Sequence, residues 1–113
     1  MQEITSITSR AKQRMTLVLE NNETAEFYLF YLPRQQSWFY NLTYKDLTIN
    51  GAKVVLTPNA LRQYKKLIPF GIGFAAQSMV EPFDITDFST GRVSMFILNS
   101  DEVKQVESEI FNL

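Results

Sequence analysis

From Gln13 to Glu20 apolar and polar residues alternate, with Met15, Leu17 and Leu19 on one face and Arg14, Thr16 and Val18 on the other. A period of two is that of a strand with one buried face. Asn21-Asn22 follows, and Asn tolerates the left-handed backbone of a tight turn. Thr24 to Leu32 is the next apolar run, so residues 13–32 are expected to form a β-hairpin. In its second half both faces are apolar, Phe27, Leu29 and Tyr31 against Tyr28, Phe30 and Leu32. Such a strand needs cover on both sides, from barrel closure or from another subunit, and Tyr28 and Phe30 are the residues expected to receive it. Pro33 lacks an N–H and ends the pairing. Arg34, Gln35, Gln36 and Ser37 make a loop, and Trp38 to Tyr44 returns as a strand with Trp38, Tyr40, Leu42 and Tyr44 on one face. Eight of the fifteen aromatic residues lie between Phe27 and Tyr44. Aromatic side chains bury the most area, so the core is expected here.

The remaining pattern is shorter-ranged. Residues 1–10 are polar and suit a flexible arm or a short edge strand. Within Thr48–Leu56, Asn50-Gly51 predicts a two-residue hairpin turn, with Val54–Leu56 a short strand beyond it. Leu61, Tyr64 and Ile68 recur at helical spacing after Asn59, a suitable cap, and predict one or two helical turns before Pro69. Phe70–Ala76 alternates large residues with Gly71, Gly73 and Ala75, as a strand does where another backbone comes close. Residues 77–90 are loop-like, and Gly91–Leu98 is the last strand. Asn99 or Ser100 caps a C-terminal helix with Asp101 and Glu102 in its first turn, where the dipole favours negative charge, and Val103, Val106 and Ile110 as its apolar stripe. The expected fold is mainly β: a small antiparallel β-barrel or sandwich in one domain over 1–113, with a short middle helical turn and a helix over 100–112.

Composition narrows the function more than the fold. There is no Cys and no His, which removes disulfides, thiolate chemistry, the commonest general base and the commonest transition-metal ligand. The longest wholly apolar run, Phe27–Leu32, is far short of a membrane span, and the opening Met-Gln-Glu-Ile-Thr-Ser lacks the basic and apolar regions of a signal peptide. A net charge of −1 gives no general reason to expect nucleic acid. The charges are nonetheless divided: Leu47–Val80 carries Lys53, Arg62, Lys65 and Lys66 with no acid, and Glu81–Leu113 carries seven acids and two bases. The bland reading is two solvated surfaces; the sharper one is head-to-tail contact between copies through opposite potentials.

Three candidate chemistries fail on context. Gly71-Ile72-Gly73-Phe74-Ala75-Ala76 matches a relaxed dinucleotide fingerprint, but Pro69 and Pro82 bracket it where a parallel strand and a following helix are needed. Glu81, Asp84 and Asp87 lie three apart in a loop, yet lack the glycine and alternating ligands of a calcium site. As a glycosidase carboxylate pair they have no aromatic-lined cleft motif beside them. No cofactor, metal or catalytic residue is expected.

Several segments together resemble the baseplate plug proteins of contractile-tailed bacteriophages. They are Phe27–Trp38, Asn50-Gly51, Leu61-Arg62-Gln63-Tyr64, Ile68-Pro69-Phe70-Gly71, and Pro82-Phe83-Asp84-Ile85 leading through Asp87-Phe88 to Gly91-Arg92-Val93. The similarity covers about Phe27 to Leu98. It implies a small β-domain with a structural role, present in several copies at the distal end of the tail tube against hub, spike and tube proteins. The chain would be made in the host cytoplasm and end in the virion. Interface candidates are Arg34, Gln35 and Gln36 in the hairpin loop, the basic Arg62, Lys65 and Lys66, and the acidic Glu81, Asp84 and Asp87. The competing reading is a small β-barrel module that binds a peptide or oligonucleotide on its aromatic face.

Overall fold

The computed structural model describes residues 1–20 and 22–110. Its strands are β1 (Gln2–Ile4), β2 (Lys12–Val18), β3 (Thr24–Leu32), β4 (Ser37–Tyr44), β5 (Leu47–Lys53), β6 (Gly71–Ala75) and β7 (Ser94–Leu98), with a 3-10 helix at Arg62–Tyr64 and a helix α1 at Ser100–Glu109. They make two antiparallel sheets, β2-β3-β4-β5 and β1-β7-β6. Neither sheet closes on itself, so the expected barrel is not formed. Residues 2–4 are an edge strand paired with β7, the second of the two forms anticipated for the polar N-terminus.

The first hairpin follows its alternation. Met15 lies opposite Phe27 and Leu17 opposite Ala25, and Asn22 takes the left-handed conformation at the turn; Asn21 lies outside the described residues. Trp38, Tyr40, Leu42 and Tyr44 are all buried, Trp38 completely; burying such a side chain is worth about 2–3 kcal/mol. They meet the inner face of the other sheet, where Ile72, Phe74, Val93, Met95 and Ile97 join the same core. Ring contacts cross between the layers: Tyr40 with Phe74, Tyr44 with Phe70, and Trp38 with Phe88.

Asn50-Gly51 is not a hairpin turn. The chain reverses earlier, through Lys45 and Asp46, with Lys45 at positive φ. Asn50 and Gly51 instead oppose the single residue Asn41 as the register of β4 and β5 shifts. Gly51, at φ +65°, donates its N–H to Asn41 Oδ1 at 2.6 Å, the geometry of a glycine β-bulge in an edge strand. A bulge and a turn both require a residue at positive φ, so Asn-Gly signals either.

The small-residue face of β6 does receive a close neighbour. A Cβ on Gly73 would lie 2.7 Å from the Pro58 carbonyl oxygen, and one on Gly71 2.7 Å from Asn59 Oδ1. Asn59 is buried there, accepting from Leu61 N–H (3.0 Å) and Ile72 N–H (3.3 Å). The predicted helical turns reduce to the 3-10 helix and its following turn. At the C-terminal end Asn99 is the cap, in a reciprocal pair with Glu102 (2.8 and 2.9 Å). Among the described residues α1 ends at Glu109 rather than 112, and residues 111 and 112 lie outside them. Val103 and Val106 pack on Leu98, but Ile110 is exposed rather than completing the stripe. The last strand begins at Ser94 instead of Gly91, because Gly91 turns at φ +81°.

Candidate functional site

The Pro82–Arg92 segment, one of those that carried the resemblance, is a latch built around one ion pair. Asp87 is buried, and its carboxylate accepts from the Phe83 and Asp84 backbone N–H groups (2.7 and 2.8 Å). Arg92 grips it with two nitrogens, at 2.8 and 2.7 Å. The same guanidinium donates to Ser78 Oγ and to the Val80 and Glu81 carbonyls, and lies over the Phe83 ring. Burial by itself pushes the Asp87 carboxyl up; the bonds from Arg92 and the two amides outweigh it and hold the group below its ordinary value. Asp84 is likewise held low, by bonds from the Thr86 hydroxyl and backbone N–H. Glu81 accepts from Leu56 N–H at 2.7 Å. Among the described residues no cluster of acidic side chains could hold a metal ion.

This latch is fastened to the aromatic hairpin. Trp38 Nε1 donates to the Asp84 carbonyl at 3.0 Å and Tyr31 donates its hydroxyl to the Phe83 carbonyl at 2.7 Å. Trp38 and Phe88 meet edge to face. Two stretches separated by some fifty residues in sequence are therefore one packed unit, through polar atoms that alternation cannot reveal.

The basic and acidic segments also meet inside the chain. Glu107 on α1 accepts from Arg62 Nε (2.7 Å), Arg62 Nη2 (3.2 Å) and Lys65 Nζ (3.0 Å). Burial raises the Glu107 carboxyl, and its bonds to Arg62 and Lys65 more than reverse that. Lys66 is exposed, and no carboxylate pairs with it among the described residues. Arg34, Gln35 and Gln36 form an exposed turn, with Gln36 at positive φ; Ser37, expected in that loop, is a buried first residue of β4.

Two further surfaces stand out, the second of them the face of Tyr28 and Phe30, for which cover was expected. One is an apolar groove of about 390 Å³ between α1 and the outer side of β6 and β7, walled by Leu56, Pro58, Ala75, Phe96, Val106 and Ile110. The other is the outer face of the larger sheet. There Lys12, Phe30, Phe39 and Lys53 occupy one cross-strand row, and Arg14, Tyr28 and Asn41 the next. Phe30 stacks on Phe39 (centroids 5.9 Å apart), Tyr28 meets Phe30 edge-on, and the Arg14 guanidinium lies over the Tyr28 ring. All three rings are half-buried.

The loop carboxylates of Glu81, Asp84 and Asp87 are engaged in holding backbone. Compared with known proteins, residues 1–101 of the 113 match the family described as cyanophage baseplate plug, Pam3 plug gp18. The chain belongs to this baseplate plug family. No curated protein matches it. The match extends over the N-terminal strand as well as the Phe27–Leu98 region that carried the resemblance, and it stops within α1. Membership makes the chain a structural component of a phage tail baseplate, associated with other baseplate and tail proteins. Among the described residues no helix is long and apolar enough to cross a membrane.

Proposed function

We propose that this chain is a plug at the distal end of the tail tube, present in several copies and held by protein–protein contacts with hub, spike and tube proteins. The observation that carries the reading is the family match along 101 residues. The fold is consistent with a passive, load-transmitting part: two sheets on one aromatic core, with a long loop latched to it by Asp87 and Arg92. Its work is done by surfaces, without catalysis or a cofactor. Copies arranged about the tube axis would narrow the channel until contraction displaces them.

Mass spectrometry of purified particles, joined to immunogold labelling of intact tails, tests this. The expected result is the chain in stoichiometric amount with label confined to the tail tip. Its absence from purified particles, or label along the tube or on the head, would refute the reading.

A further inference from the structure

We infer that α1 is a detachable strap across the outer side of the smaller sheet, released as a unit while both sheets stay folded. Such a strap is independent of where in the tail the chain sits. The main core takes its side chains from the two sheets and the loops between them, and none from α1. Val103 and Val106 pack instead on Leu98, in an apolar cluster apart from that core. Ile110 is exposed, and the groove of about 390 Å³ runs between the helix and the sheet. Taking α1 away therefore removes the burial of two valines and leaves the shared aromatic core as it is.

Ion pairs fasten the helix at both ends. In its first turn Glu102 pairs with the amino group of Met1, just before β1. In its last turn Glu107 accepts from Arg62 Nε at 2.7 Å, Arg62 Nη2 at 3.2 Å and Lys65 Nζ at 3.0 Å. Those bases stand in and just after the 3-10 helix, so α1 is bound to positions 45 and 42 residues away in sequence. The Glu107 side chain is only 11% exposed, and partly buried pairs are screened less than surface ones. Glu107 is therefore the stronger fastening.

Unfastened, α1 has little to keep it helical. It is 10 residues long, and an isolated helix shorter than about 12 residues is marginal in water. Asn99, its cap, directly follows β7 and is the joint. Regions with few buried apolar contacts open at lower free energy than the core, and α1 is such a region. Opening uncovers Leu98 and joins it to the apolar wall that Ala75 and Phe96 already form. The family match ends at residue 101, so both sheets lie inside it and nearly all of α1 outside.

Hydrogen exchange read by mass spectrometry on the full chain tests this. With intrinsic rates divided out, amides 103–109 should exchange at least about a hundredfold faster than those of β3 and β4. Glu107→Gln preserves shape and helix preference and removes the charge. It should speed exchange over 103–109 by about fivefold or more and leave β3 and β4 within about twofold, since charge-assisted bonds are the stronger ones. Lys104 is exposed on the same helix and has no ion pair among the described residues; Lys104→Gln should change neither set. Exchange of amides 103–109 at the rate of β3 and β4 would overturn the inference, since α1 would then open only when the whole chain does. Equal acceleration of helix and sheets by Glu107→Gln, no acceleration at all, or the same acceleration from Lys104→Gln would overturn it too.

Discussion

Asp87 and Arg92 decide whether the 78–92 loop lies against the hairpin, because one carboxylate collects two backbone N–H groups and a two-pronged guanidinium. Replacing Asp87 with Asn leaves Arg92, itself only a quarter exposed, without its counter-charge. A loss of about 2 kcal/mol in urea unfolding at neutral pH is expected. The same group gives stability a pH dependence of definite sign. Its folded-state pKa lies below the unfolded one. Its contribution is therefore complete above the unfolded value, about 3.9, and is lost as pH falls through the folded value. Glu107 and Glu102 are shifted in the same direction. With no His in the chain, unfolding free energy should be nearly level from about pH 8 to 5 and fall below about pH 4. The fall should be shallower in the Asp87→Asn variant; equal slopes would contradict the assignment. None of this was legible in the spacing of Glu81, Asp84 and Asp87, which records three acids in a loop and not that Asp87 turns inward. The signal that could have found it is Arg92, five residues on, the only base between Glu81 and Val103.

At the scale of elements, the two glycines Gly51 and Gly73 make opposite demands. Gly51 needs a backbone conformation, with open space where a Cβ would go; Gly73 needs space, with the Pro58 oxygen in the way. Gly51→Ala should cost about 1–2 kcal/mol and Gly73→Ala about 1–3 kcal/mol in chemical denaturation. Gly51→Asn should recover much of the first loss, because Asn accepts positive φ, while Gly73→Asn should be worse than Ala. Asn99→Ala, which removes the cap of α1, should cost about 1 kcal/mol. The strands of the larger sheet were readable because alternation is a local property and each strand carries it: Trp38, Tyr40, Leu42 and Tyr44 all face inward. The β4–β5 turn was not, since Lys45-Asp46 carries no Gly or Asn and the neighbouring Asn-Gly carries both. The end of the apolar stripe on α1 was missed for a related reason. Glu107 is drawn inward by Arg62 and Lys65, and periodicity does not register a buried acid.

For the whole molecule, the doubly apolar β3 raised a choice between barrel closure and a partner, and the open sheets remove the first. Closure depends on strand number and register across the whole sheet, so no single strand could announce it. The division of charge along the chain likewise had two outcomes, and part of it is resolved internally where Arg62 and Lys65 meet Glu107. On the outer face of the larger sheet Tyr28, Phe30 and Phe39 stay half-buried. Electron cryomicroscopy of the tail in its extended state would show directly whether this chain sits at the tube's distal end. Density for this two-sheet fold is expected in several copies at the distal end of the tube, with Tyr28 or Phe30 covered by another subunit. A well-resolved tail tip with no density that this fold fits would contradict it.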